Sequence, residues 1–250
     1  MMKQYREARE SLAEDTLLLF RLGDFYEMFE KDAERGAALL GITLTKRHDM
    51  PMAGIPSHAA EGYLTKLLNN GQKVAICDQI EAAQPGKLVK RGITRILTPG
   101  TVLEDGQMDG ERNHFLLALE FDKKGIRASW LDLSTGKFAL SQTDHPNDFL
   151  SVLNSLSPRE ILVPEGFYDH LETLPFGTTF KDEFERVLGE VTITERPCYD
   201  FDQRSGAREV MESLGVMNLE GFGIDLGHPA LGPAGALLIY AQDVLRGKPG

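Results

Sequence analysis

Residues 16–29 read "TLLLFRLGDFYEMF", and the elements around this stretch follow from how it is parsed. An apolar run, Thr16 to Leu22, meets the turn pair Gly23-Asp24 and continues as a second short extended run, Phe25 to Phe29. Two such runs separated by two turn residues predict an antiparallel hairpin. The two-residue period of a strand then places Phe25, Glu27 and Phe29 on one face and Tyr26 and Met28 on the other. Upstream, "MKQYREARESLAED" has apolar residues too sparse for a buried helix and reads as a short surface helix. Downstream, "EKDAERGAALLG" repeats its small and apolar residues at helical spacing and stops at Gly41.

The pattern continues with "ITLTKR" as a strand and "HDMPMAGIPSH" as a loop by its Pro and Gly content. "AAEGYLTKLLNNG" reads as a helix, "KVAICDQI" as a buried strand, and "LVKRGITRILTPGTV" as a strand ending in the turn Pro99-Gly100. Residues 1–107 are therefore expected to form a mixed-sheet α/β domain. The polar, aperiodic "LEDGQMDGERN" is the expected boundary. Beyond it, "HFLLALEFD", "GIRASWLDLS" and "GKFALSQT" predict a three-stranded antiparallel meander. Helix "DFLSVLNSLS", strand "REILVPE", helix "GFYDHLETL", a strand near "VTITE" and helix "FDQRSGAREVMESLG" follow, which is the order of a ribonuclease-H-like sheet over residues 112–226. The helix within "GPAGALLIYAQDVLRG" finds no evident partner for its apolar face, so residues 227–250 read as the start of a truncated third, helical unit.

Composition bounds the function. The 250 residues are 42% hydrophobic and 26% charged, with no apolar run near the roughly 18 residues of a membrane span. No membrane role is expected. The charged amino-terminus lacks the apolar core of an export signal, and Cys77 and Cys198 stand far apart without metal spacing, so a reducing, cytoplasmic setting is expected. A net charge of -11 argues against nucleic acid until its distribution is considered. Residues 1–107 carry 14 basic and 15 acidic side chains, whereas residues 108–250 carry 13 and 23. Within residues 46–95, eight basic groups outnumber four acids, which permits a local basic surface on an acidic chain.

From the residues alone, Phe25 at the tip of a hairpin with Glu27 two positions on is either an aromatic core strand or a wedge. As a wedge, the ring stacks on bases while the acid meets a base edge. The company of the motif bears on this choice. "FRLGDFYEMF", "ITLTKR", "PMAGIPSHAAEGYLTKLLNNGQKVAICDQIE" and "RGITRILTPGTV", in this order and spacing, resemble the amino-terminal part of the MutS family of DNA mismatch-recognition proteins. The resemblance covers most of residues 2–103, and the connector and helix after it match the family's arrangement.

The resemblance implies that Phe25, Tyr26 and Glu27 form the mismatch reader, with Phe25 inserting from the minor groove and Glu27 hydrogen-bonding the mispaired base. It also implies Lys46, Arg47, His58, Lys66 and Arg91 as candidate contacts to the DNA backbone. For the full-length protein it implies a homodimer clamping double-stranded DNA that carries a mismatch or a small insertion/deletion loop, a MutL-like repair partner recruited through the connector, and an ATPase using ATP and Mg. No "GxxxxGK[ST]" occurs in these residues, so no cofactor is expected in this chain and the ATPase is expected beyond Gly250.

Two rival readings stand beside it. A ribonuclease-H-like metal-dependent nuclease would use Asp132 with Glu120, Glu165 or Asp225, although these show no diagnostic spacing. The six histidines never pair at ligand spacing, and no nucleophile–base set is visible. A MutS relative binding other DNA structures is the second rival; the Phe25-Tyr26-Glu27 run opposes it, since such relatives usually lack the reader.

Overall fold

Gly23 adopts φ +58°, the left-handed sign that the first position of a tight hairpin turn favours and that a Cβ resists. The turn joins β1 (Thr16–Leu22) to β2 (Phe25–Phe29), with Leu22 opposite Phe25 and Phe20 opposite Glu27. The computed structural model describes residues 1–81, 89–101, 115–122, 125–173, 176, 178–189 and 191–247. These fall into two units, Met1–Pro99 with Asp243–Gly250, and Gly100–Gln242. The boundary segment 103–113 and Lys124 of the meander's first turn lie outside the described residues.

The first unit also contains α1 (Met2–Glu10), α2 (Glu30–Leu40), β3 (Thr45–Arg47), β4 (Met50–Pro56), α3 (Ala60–Asn69), β5 (Lys73–Gln79) and β6 (Arg91–Leu97). Its sheet has the order β3-β4-β2-β1-β5-β6, with β5 parallel to β1. Leu17, Leu18, Leu19 and Phe20 are all fully buried, because β1 lies inside the sheet with helices over both faces. On one face α2 packs over Met28, and Gly36 makes room for that side chain: a Cβ there would fall 2.3 Å from the Met28 sulfur. On the other face α1 lays Tyr5 edge-on against Phe20 and Phe29, with its hydroxyl donating to the Phe29 carbonyl at 3.2 Å. The expected surface helix is therefore anchored by one buried aromatic residue.

One expectation fails here. Residues 48–58 read as a loop, yet Met50–Pro56 is strand β4, paired with β3 on one side and β2 on the other. Its prolines explain both the misreading and its resolution. Pro51 pairs with β3 only, since the β2 ladder begins at Met52, and Pro56 pairs with β2 only. At each position half of the ladder is absent, so the missing N–H need break no pair. His48 at φ +49° and Asp49 at φ +67° form the tight turn into β4, the two left-handed residues such a hairpin calls for.

The second unit comprises β7 (Phe115–Asp122), β8 (Gly125–Asp132), β9 (Lys137–Thr143), α4 (Pro146–Leu156), β10 (Glu160–Pro164), α5 (Phe167–Thr173), α6 (Thr178–Leu188), β11 (Thr192–Arg196) and α7 (Gln203–Leu214). Helix α8 (Leu231–Leu245) follows, within this unit as far as Gln242. The meander β7-β8-β9 is extended by β10, parallel to β7, and β11, parallel to β10, giving the order β11-β10-β7-β8-β9 of a ribonuclease-H-like sheet. Helix α6 has no counterpart among the elements expected from the sequence. Its Phe180, Phe184, Val187 and Leu188 recur at helical spacing and enter an aromatic core with Phe121, Phe149 and Phe167. The partner that α8 lacked in the sequence is α7: Leu231 and Ala234 pack with Ala207 and Val210. The crossing is close, for a Cβ on Gly206 would fall 1.9 Å from the Leu231 carbonyl oxygen. Among the described residues no helix is long and apolar enough to cross a membrane.

The two thiols differ enough to be told apart chemically. Cys77 is buried on β5, and burial, reinforced by Asp78, pushes its pKa up to about 11, whereas Cys198 is exposed. Because the thiolate is the nucleophile, a disulfide reagent near pH 8 should label one thiol in the folded chain and two after denaturation. Rapid release of two equivalents from native protein would contradict this placement.

Candidate nucleic-acid interface

Phe25 is the first residue of β2, directly after the turn, and 46% of it is exposed. It pairs across to Leu22 on β1 and Pro56 on β4, so its backbone is held from both sides while its ring projects outward. The Ser57 amide donates to the Asp24 carbonyl at 2.8 Å, tying the residues after β4 to the turn. That bond brings the exposed His58 near the hairpin tip. Phe29 on the same face is covered by Tyr5, so α1 caps one end of this face and leaves Phe25 open at the other.

Tyr26 points the other way. It is buried, with the Arg21 guanidinium 5.2 Å from its ring centroid and its hydroxyl 3.1 Å from each Asp78 carboxylate oxygen. Burial, and then the Asp78 charge, push the phenol above its ordinary range. Tyr26, which the resemblance places in the reader, has its ring and hydroxyl engaged inside the fold, where they brace β2 beneath Phe25. Arg21 and Asp78, which complete this brace, were not singled out in the sequence. Asp78 lies 52 residues from Tyr26, and no local spacing announces such a contact.

Glu27 shares the face of Phe25 and is not alone there. Arg47 of β3 donates from Nη1 to its carboxylate at 2.8 Å, with 16% of the Glu27 side chain and 42% of the Arg47 side chain exposed. Gly54 of β4 lies opposite Glu27 in the register and supplies the floor of this patch. A Cβ there would sit 3.7 Å from the Glu27 Cγ and 3.9 Å from the Phe25 ring, so the glycine leaves a shallow open strip between them. Arg47, expected from the resemblance only as a contact to the DNA backbone, pairs instead with a carboxylate 20 positions away, a contact with no sequence signal.

The remaining basic candidates divide. Lys46 is exposed on β3, alternating to the face opposite Arg47. Lys66 on α3 donates to the Leu40 carbonyl at 2.9 Å and so caps the end of α2, away from the Phe25 face. Arg91 lies on the Phe25 face with its guanidinium 5.5 Å from the Phe20 ring centroid. It also donates to the Arg21 carbonyl at 2.7 Å and the Val89 carbonyl at 3.0 Å, which stitches β6 to β1. Lys66 and Arg91 thus hold the fold together, Arg47 reaches Glu27 through its side chain, and His58 follows the residue tied to the hairpin turn.

The nuclease rival loses its geometry. Asp132 is buried at the end of β8, where one carboxylate oxygen accepts from the Ser134 amide at 2.9 Å and hydroxyl at 2.6 Å, as a turn residue does. Phe115 is opposite Asp132 while Glu120 is opposite Arg127, so Glu120 lies about 16 Å along the sheet from Asp132 at ~3.3 Å per residue. Among the described residues no three His, Cys, Asp or Glu side chains converge as a metal site.

Comparison with known proteins agrees with the fold. The family model MutS domain I matches residues 1–106, and MutS domain II matches residues 114–249. The DNA mismatch repair protein MutS of Myxococcus xanthus (strain DK1622) is 37% identical over 250 residues, which is 97% of this chain and 27% of that protein. The chain therefore spans about a quarter of the length of this curated relative. On these matches and on the two sheets described above, the chain belongs to the MutS family of mismatch repair proteins, of which it carries domains I and II.

Proposed function

We propose that the chain recognises mismatched or unpaired bases in double-stranded DNA by inserting Phe25 as a wedge. The observation that carries this reading is the exposed Phe25 ring on a backbone fixed from both sides, with Glu27 beside it on the same face. A mispaired base is already weakly paired and stacked, so kinking the duplex there costs less than the few kcal/mol per step of matched DNA. The contact uses a π-face common to all bases, which lets one ring serve many mismatches and small insertion/deletion loops. The same exposed ring favours a mismatch reader over a relative that binds other DNA structures.

In this reading residues 1–107 bind the mismatch and the residues from 112 onward form the connector, with α8 packed on α7. The full-length protein is a cytoplasmic homodimer that recruits a MutL-like partner through the connector, whose excess of acids suits a protein surface better than DNA. Its ATP and Mg would be held elsewhere. The GxxxxGK[ST] pattern does not occur in the 250 residues, so this reading gives nucleotide no role in them.

The test is fluorescence anisotropy at low salt, on a duplex with one mismatch and on its matched twin, using this chain and a full-length MutS protein that contains these 250 residues. The full-length protein is expected to prefer the mismatch, and the isolated chain to bind more weakly, near the non-specific range of roughly 10⁻⁴ to 10⁻⁶ M. Equal affinity of the full-length protein for the two duplexes would overturn the reading. Glu27→Ala should strengthen binding to matched DNA more than to mismatched DNA, because a carboxylate between phosphates is repelled except where a base donor meets it. An unchanged ratio of the two affinities would remove Glu27 from the reader.

A further inference from the structure

Glu27 presents a problem that Arg47 solves. A free carboxylate on a surface that meets a polyanion is pushed away from the phosphates and samples several rotamers, which is a poor state for an acceptor aimed at one base edge. The 2.8 Å bond from the Arg47 Nη1 holds it instead. The two residues are 20 positions apart and sit on β2 and β3, with β4 between them. Gly54 on that intervening strand places no side chain beside the pair. An exposed ion pair usually contributes little to stability, and this one, with Glu27 mostly buried and Arg47 half-exposed, has no evident task in the core.

We infer that Arg47 is a positioning residue for mismatch discrimination: it fixes the Glu27 carboxylate beside Phe25, ready to accept a hydrogen bond from the mispaired base. The inference rests on the reading of Phe25 and Glu27 as the mismatch reader. It differs from a backbone contact in a measurable way. Removing a cation that only touches phosphate weakens matched and mismatched binding alike and lowers the salt slope by about one, whatever stands at position 27. A positioning residue changes the ratio of the two affinities, and does so only while Glu27 is present.

The experiment is a double-mutant cycle in a full-length protein that contains these residues: unsubstituted, Arg47→Gln, Glu27→Ala and the double variant, each titrated on matched and single-mismatch duplexes. Arg47→Gln is expected to lower the mismatch-to-matched ratio by roughly threefold to tenfold, and to leave it unchanged in the Glu27→Ala background. Arg47→Lys, which restores the charge without the planar fork, should recover part of the ratio. Melting curves of the four proteins confirm that each is folded at the temperature of the titration. An equal effect of Arg47→Gln in both backgrounds, or one confined to overall affinity, overturns the inference. Phe25→Ala, run alongside, separates the two failures: if it retains discrimination, the reader itself is wrong, and the inference falls with it.

Discussion

Phe25→Ala is expected to remove the preference for mismatched DNA while leaving the fold intact. The ring is exposed at the hairpin tip, so its loss opens no cavity, and the pairing of β2 with β1 and β4 uses backbone that alanine keeps. Base–aromatic stacking contributes about 1 to 3 kcal/mol, so mismatch affinity should fall by roughly five- to 150-fold. Matched affinity should change little, because there the ring has no gap to enter. Anisotropy on the paired duplexes reads both numbers, and a melting curve confirms that the variant is folded. Phe25→Trp should retain most of the preference, since it keeps a π-face; retention of full preference by Phe25→Ala would make the residue a bystander.

The largest stability effect is expected in the second unit, at Arg196. Its Nε and Nη2 both donate to one carboxylate oxygen of Asp200 at 2.9 Å, and its guanidinium lies 5.5 Å from the Tyr240 ring centroid. Both members of the pair are buried. Arg196→Ala removes one partner and leaves a carboxylate out of reach of water, a change that costs about 3 to 5 kcal/mol. Arg196→Met with Asp200→Leu removes both charges and fills the space, and should be much less costly than Arg196→Ala alone. Urea titration of the chain, following the second unit's lone tryptophan, Trp130, measures the difference. A loss below about 1 kcal/mol for Arg196→Ala would mean that Asp200 reaches solvent.

The elements that the sequence revealed are those whose period and punctuation agree. The hairpin at residues 16–29 has two extended runs around Gly-Asp, and the meander of β7, β8 and β9 has alternating strands with short turns. Strand β4 hid behind Pro51 and Pro56, whose meaning depends on which neighbouring strand is missing at each position, and that is tertiary information. Helix α6 begins with Thr178-Thr179, weak helix formers, and shows its purpose only when Phe180 and Phe184 meet the other aromatic residues of the core. The site divides in the same way. Phe25 and Glu27 were visible through local motif and family resemblance. Tyr26 bracing against Asp78, Lys66 capping α2 and Glu27 held by Arg47 each join residues that only the folded sheet brings together.

The two tight turns of the first sheet differ in how much change they can absorb. His48-Asp49 closes the hairpin of edge strand β3 in solvent, so extra residues there would lengthen the tip beyond Arg47 without shifting the pairing of β3 with β4. Gly23-Asp24 has no such slack, being bounded by the Leu22–Phe25 pair and pinned through Asp24 to Ser57. One inserted residue would shift β2 by one step or force a bulge, and a one-step shift exchanges the faces of a strand. Phe25 and Glu27 would then turn inward, and Tyr26 and Met28 would be presented to solvent. Across descendants of this sequence, length variation should therefore gather at the β3–β4 turn, while the two-residue spacing between β1 and Phe25 stays fixed.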